Sequence, residues 1–363
     1  MWSVTKSAAR ISHSPIKALY IYDDSQTLDM NTHVAMASGG AYAAVHAGFW
    51  QAIDSTSSGQ RFRNSVTDMS GSSAGALVGM LVAEGVPAHL IAEDLRSGGI
   101  KGKFPRLRAA AAYLRLPGFK RSAFSDKPYI ERMTRLSNAR VHTRKHMTVA
   151  VTDSQLVQRC VPLDMGTLSL SRRIIAAVAS ASIPLVLPPQ RVKTLGMCVD
   201  GSVNHCPFAE DTLREKLLMS SGKIVVVNCM SWPGYRGAPP TATAGRISLS
   251  SIARSYGEQL YAHALETLFK DTICPPIVYK DGLFEVFINN KNGKCKQVGA
   301  GDSYNLHVVF VAPTEQQFLA CGGMHSIGDL QYGKGYPKVA DMVQIGKQMG
   351  QQFVQWHGDI SFI

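Results

Sequence analysis

The chain has 363 residues, 45% hydrophobic and 18% charged, enough apolar material for a large core and a composition that excludes a disordered or fibrous protein. Its formal charge of +12 is concentrated, because thirteen Lys and Arg stand against two acids between Lys101 and Lys145 while the remainder is nearly neutral. Seven scattered cysteines, with no C-x-x-C pair and no His/Cys cluster at zinc spacing, exclude a disulfide framework and a zinc module and predict a reduced, intracellular chain without a metal.

Residues 1–30 hold one short apolar run, Ala18 to Tyr22, and read as an edge extension. Lys6, Arg10 and Lys17 without an acid leave a mitochondrial-type transit sequence open, but no apolar core of a secretory signal follows them. His33 to Ala37 is expected to be a strand that runs into Gly39-Gly40, and Ala41, Val45, Gly48, Phe49 and Ile53 recur at helical spacing. Ser65 to Ser70 is a second short strand. The helix expected from Ala74 carries Leu77, Val78, Leu81 and Val82 on one face. Gly85 and Pro87 stop it and start another through His89, Leu90, Ile91 and Leu95.

Beyond the basic segment, Met147 to Thr152 is β-rich, Ser171 to Ser180 is a helix that stops before Pro184, and Met197 to Val199 leads into Asp200-Gly201. Ile174 to Leu187 is too short and too interrupted to span a membrane. Lys223 to Asn228 is the best buried parallel strand, and Leu306 to Val311 is another. Long helices are expected at Ile247 to Phe269 and Lys338 to Trp356, with hairpin chemistry between them around Asn292-Gly293. The alternation predicts an α/β fold, a three-layer α/β/α sandwich with a mostly parallel central sheet. One domain over 1–363 is expected, with a motif-bearing core at 32–208 and residues 209–363 completing the sheet and helices.

Three short stretches carry chemistry. In "SGSSAGALVGML", Gly71 and Gly75 flank Ser73 at a strand-to-helix junction, where glycines permit a strained elbow and the following helix directs its positive end at the serine. In Ser38-Gly39-Gly40-Ala41, backbone N–H groups opening a helix could converge on a developing negative charge. In "CVDGSVNHCPF", Asp200 leaves the end of a strand before Gly201. Each stretch alone is equally compatible with an ordinary turn.

Taken in order with "VASASIPLVLPPQRV" at 178–192, these motifs resemble those of the patatin-like phospholipases, from Thr32 to Phe208 and more loosely beyond. The resemblance implies Ser73 as nucleophile, Asp200 as its partner in a Ser-Asp dyad, Gly39 and Gly40 as the oxyanion hole, and no cofactor. It implies phospholipid acyl-ester hydrolysis of the phospholipase A type through an acyl-enzyme, releasing fatty acid. The chain departs from the family pattern in carrying Ser38, Tyr42 and Ala43 where the glycine loop usually has a glycine, a basic residue and a glycine, and Ser202 in the third place of D-G-S.

Two alternatives stand beside the dyad. One is a catalytically silent lipid-binding or scaffolding protein with the same fold. The other is an esterase with a Ser-Asp-His triad, for which His205, His263, His307, His325 and His357 follow Asp200 in chain order. A candidate membrane contact is "KFPRLRAAAAYLRLPGFKR", where Arg106, Arg108, Arg115, Lys120 and Arg121 alternate with aromatic and aliphatic residues, although a solvated helix fits the same pattern. The partners expected are an anionic phospholipid surface and, if the enzyme is not constitutive, a protein activator; no nucleic-acid signature accompanies the charge. The expected location is cytoplasmic and peripheral to a membrane, with delivery into another cell or an organelle as alternatives. The Trp232 to Gly245 loop reads equally as a lid or as inert surface.

Overall fold

The computed structural model describes residues 31–97, 122, 125–153, 160–184, 187–193, 195–204, 209–219, 221–229, 282–290, 296–298, 304–314, 316–317 and 336–360. The helix expected at Ile247 to Phe269, the Asn292-Gly293 turn, the Trp232 to Gly245 loop, residues 1–30 and the five basic membrane-contact candidates lie outside them.

Ten strands are described: β1 (Thr32–Met36), β2 (Val66–Gly71), β3 (His146–Asp153), β4 (Cys160–Asp164), β5 (Gln190–Val192), β6 (Gly196–Asp200), β7 (Gly222–Val227), β8 (Leu283–Asn289), β9 (Lys296–Val298) and β10 (Leu306–Val311). They form one sheet in the order β5-β6-β3-β2-β1-β7-β10-β8-β9, with β4 beside β3. The five strands from β3 to β10 in that order pair in parallel, and the flanking pairs at both margins are antiparallel. The mostly parallel sheet expected from the sequence is therefore present at the centre. β1, β7 and β10 are buried along their whole length apart from Lys223, and the Ile224 to Val227 run of β7 is the pattern of a strand covered on both faces.

Among the described residues the α-helices are α1 (Ala43–Asp54), α2 (Ser57–Ser65), α3 (Ala74–Ala83), α4 (Ala88–Arg96), α5 (Lys127–Ser137), α6 (Leu170–Ser180), α7 (Glu210–Met219) and α8 (Tyr336–Ile360). All but α7 pack together in one layer, on the sheet face to which Met36 points. On the opposite face, α7 is fixed by Lys216, whose Nζ lies 2.8 Å from Asp68 Oδ1. Burial would raise the Asp68 pKa, but His33 and Lys216 beside the carboxylate hold it well below the usual carboxylate range.

Helix α3 differs from its expected amphipathic form. It is buried on nearly every side, with Leu77 the only half-exposed residue, because the sheet, α1, α4, α5 and α6 enclose it. Two helices were not expected from the sequence. In α2 only Gly59, Phe62 and Arg63 are buried, and the helix is started by Thr56, whose hydroxyl accepts from the Gly59 N–H at 3.0 Å. Helix α5 is amphipathic but lies in the basic run, where Arg132 and Arg135 pair with Asp94 of α4.

The tightest helix contact joins α1 to α8. A Cβ built on Gly346 would lie 2.0 Å from the Val45 carbonyl oxygen, and one on Gly48 would lie 2.1 Å from that of Val343. Helix propensity alone would make Gly346→Ala stabilising by about 1 kcal/mol. The close backbone approach reverses the sign, and a loss of about 2 kcal/mol is expected as a lower urea midpoint at unchanged m-value.

Candidate active site

The elbow is built where β2 ends against α3. Ser73 has φ 51° and ψ −118° and is one of only two non-glycine residues with positive φ among those described, a conformation costing about 1–3 kcal/mol that persists only where the surroundings enforce it. The enforcing contacts are close. A Cβ on Gly75 would fall 2.2 Å from the Met36 carbonyl oxygen, and one on Gly71 would fall 2.8 Å from the Gly75 carbonyl. Without side chains at 71 and 75, strand and helix meet at a distance that leaves Ser73 at the helix N-cap, facing the positive end of α3.

Asp200 ends β6, two strands from β2, with β3 between them. It is 1% exposed, and burial lifts its carboxyl to about 6, against the opposing effects of the Ser73 hydroxyl and the Ser202 amide and hydroxyl. The Ser202 N–H donates to Oδ1 at 2.8 Å, while Oδ2 is buried without a hydrogen-bond partner among the described residues. Ser73 thus approaches the carboxylate without closing a full hydrogen bond, a geometry that catalytic pairs often show before substrate tightens them. Ser73 and Asp200, 127 positions apart in sequence, are brought together.

The glycine loop follows β1, whose Met36 is in register with Gly71 of β2, so loop and elbow emerge side by side at the same end of the sheet. Gly40 opens a 3₁₀ turn, Gly40–Tyr42, with φ +55°, and the turn packs against α3. Gly40 is exposed and Gly39 half-buried, so their backbones face open space beside the buried serine. Beneath the loop, the Cys229 thiol donates to the Ser38 carbonyl at 3.2 Å, and its pKa is pushed far up by burial, which makes it an inert prop. His46 Nε2 donates to the Ala37 carbonyl at 2.8 Å, and burial lowers its pKa to about 4, so it supports the loop as a neutral ring.

A Cβ on Gly39 would stand 2.1 Å from Cys229 Sγ. Gly39→Ala is expected to lower kcat about 10²-fold by displacing the loop, and Gly39→Ala with Cys229→Ala to regain at least part of it, read as kcat on a soluble ester.

The histidines expected to compete for the role of base divide by position. His307 is the second residue of β10, in register with Lys223, and its Nε2 lies 2.8 Å from Glu285 Oε2; His357 lies against Phe62 and Phe353. Both stand at the end of the sheet where the parallel strands begin, opposite the elbow. His205, His263 and His325 lie outside the described residues. One Ser-His-Asp chain does exist, Ser70–His33–Asp68, with Nε2 2.9 Å from Ser70 Oγ and Nδ1 2.7 Å from Asp68 Oδ1. Ser70 is fully buried in mid-strand, so this chain ties β1 to β2 and presents no nucleophile.

Sequence reading did not find the residues that hold Ser73 and Asp200 in place. Ser180 and Ser182, at the end of α6, bond to Ser73 and Asp200 from more than a hundred and from eighteen positions away, and nothing local in "ASASIP" signals such reach.

A serine strained into an elbow between strand and helix thus stands beside a buried carboxylate, in an α/β fold whose sheet is parallel at its centre. Residues 34–210 match the family model described as patatin-like phospholipase, and over that span the chain is a patatin-like phospholipase domain. Among solved structures it is similar to human GIVD cytosolic phospholipase A2, at 8% identity and a TM-score of 0.47 over 92% of this chain and 59% of that one. It is similar also to VipD from Legionella pneumophila, at 12% identity and a TM-score of 0.38 over 91% of this chain and 67% of that one. A third likeness is to ExoU in its complex with SpcU from the type III secretion system of Pseudomonas aeruginosa, at 14% identity and a TM-score of 0.23 over 43% and 37%. The chain thus spans about three fifths of the human enzyme's length. No curated protein matches it in sequence.

Proposed function

We propose that this chain is a lipid acyl hydrolase of the phospholipase A type that works through Ser73 and Asp200. The observation that carries the reading is the strained Ser73 beside a buried carboxylate whose pKa lies near 6. An aspartate at its ordinary value of about 4 is a weak base. One raised to about 6 is still ionised at neutral pH and accepts a proton more readily.

The steps follow from the positions of these groups. The Ser73 Oγ proton passes to Asp200 as Oγ bonds to the ester carbonyl carbon, and the carbonyl oxygen takes the negative charge beside the Gly39–Gly40 amides and the α3 N-terminus. Collapse of this intermediate breaks the ester C–O bond, and the Asp200 proton goes to the departing alcohol, the lysophospholipid. Water then attacks the acyl-enzyme, giving its proton to Asp200; fatty acid leaves and Ser73 recovers its proton.

An anionic lipid surface is the proposed partner. Arg132 and Arg135 are committed to Asp94, and Arg144 and Arg173 to Glu84. The basic surplus available to lipid therefore falls in the Lys101 to Arg121 stretch. No helix among the described residues is long and apolar enough to cross a membrane.

The test is fatty-acid release by the purified full chain from vesicles of a phospholipid with different acyl chains at sn-1 and sn-2. Release of one chain, with stoichiometric labelling of Ser73 by an alkyl fluorophosphonate, is expected, and the chain released reports the position cleaved. No release and no labelling, with cell extract present or absent, would overturn the reading in favour of a lipid-binding protein.

A further inference from the structure

We propose that Ser180 is a positioning residue for the reaction: its hydroxyl holds the nucleophile elbow, and the turn it begins fixes the separation of Ser73 from Asp200. The inference rests on the hydrolase reading above. Ser180 is the last residue of α6 and is fully buried. Its Oγ donates to the Ala150 carbonyl of β3 at 2.6 Å and accepts the Ser73 N–H at 3.0 Å. Two residues on, the Ser182 carbonyl accepts the Asp200 N–H at 3.0 Å. A single turn of chain thus grips the backbone of both reacting residues, and the Ala150 bond ties it to the strand standing between them.

The physical need is specific. The positive φ of Ser73 removes its N–H from the ladder of β2, and at 4% exposure it finds no water, so a buried acceptor has to be supplied from elsewhere. Ser180 supplies it while giving its own proton to Ala150, which leaves the hydroxyl lone pairs directed to the elbow. Because the Ser73 N–H is occupied, it is not a donor to the oxyanion. That duty falls to the Gly39–Gly40 amides and the α3 N-terminus, so Ser180 holds the nucleophile without competing for those donors. Ser182 acts through its main chain alone, since its hydroxyl donates back to Val178 at 2.7 Å within α6.

The experiment compares wild type, Ser180→Ala, Ser180→Cys and, as a control, Ser137→Ala, which removes another buried serine hydroxyl at the end of α5, on a soluble ester and in the rate of Ser73 phosphonylation. Ser180→Ala is expected to lower kcat and the phosphonylation rate about 10²-fold with KM within about threefold, as for a nucleophile displaced by a fraction of an ångström. Ser180→Cys keeps nearly the volume but has a poor acceptor, so it should fold even if the alanine variant does not and still lose more than about tenfold. Ser137→Ala should match wild type. Activity of a folded Ser180 variant within about threefold of wild type would overturn the proposal, as would equal losses in Ser180→Ala and Ser137→Ala that track a fall in Tm. A wild type inert to both ester and reagent would instead overturn the hydrolase reading, and this inference with it.

Discussion

Ser73→Ala is expected to lower kcat for acyl-ester hydrolysis by about 10⁴-fold or more, leaving only what the oxyanion loop and substrate binding provide. The loss should come without loss of fold, since alanine fills less of a site whose shape is set by Gly71, Gly75 and the Met36 carbonyl. A companion variant separates chemistry from strain. Glycine occupies φ 51° freely, so Ser73→Gly should be equally inactive yet more stable than Ser73→Ala, by about 1 kcal/mol or more. The measurements are kcat on a soluble ester and urea midpoints of the three proteins. Hydrolysis by Ser73→Ala within tenfold of wild type would remove Ser73 from the mechanism, and equal midpoints for the alanine and glycine variants would remove the strain.

Asp200→Asn should cost about 10⁴-fold in kcat, because an amide of the same shape cannot take the serine proton. The wild type should show the ionisation directly: kcat/KM full above about pH 7 and falling tenfold per unit as pH drops below about 6, where the carboxyl becomes protonated. The same shift has a stability consequence of definite sign. Between the unfolded value of 3.8 and the folded value of about 6 the native state holds the extra proton, so stability falls as pH rises through that window and stays low above it. The cost at neutral pH is about 3 kcal/mol. Asp200→Asn is therefore expected to unfold at a higher temperature than wild type at pH 8, with the difference closing as pH approaches 4. Equal melting at both pH values would place the carboxylate in a less buried setting.

These effects concern residues that could be read from the chain because their signals are local. A serine between glycines before an apolar helix, a glycine pair after a strand and an Asp-Gly at a strand end each state their backbone geometry within a few positions. The unbroken runs of β7 and β10 likewise declare burial on both faces. Less legible were elements whose stability is borrowed. Helix α2 rests on a Thr56 cap, on Phe62 stacked against Trp50 of α1 and on Arg63 reaching Asp54 of α1 and the carbonyls of Val82 and Val86 at the end of α3, and β5 is three residues held by pairing with β6. The role of Ser180 was illegible in principle, since its two bonds join residues 30 and 107 positions away. The histidines misdirect for a related reason. Their order in the chain suits a triad, but His307 and His357 belong to the far end of the sheet.

The close seat of α8 on α1 reaches beyond stability. Helix α1 begins directly after the Gly40–Tyr42 turn, so the loop proposed to receive the oxyanion is the leading edge of an element clamped by a helix nearly three hundred positions downstream. On the ribosome, Ser73 and Asp200 emerge well before residues 336–360, and during that interval α1 lacks the α8 surface that Gly48 and Phe49 meet at Val343 and Phe353. The elbow is made early and its counterpart late. If Ser73 and Asp200 form the proposed pair, activity is expected only once α8 has been made and seated on α1, so that a helix contributing no residue to the site completes it.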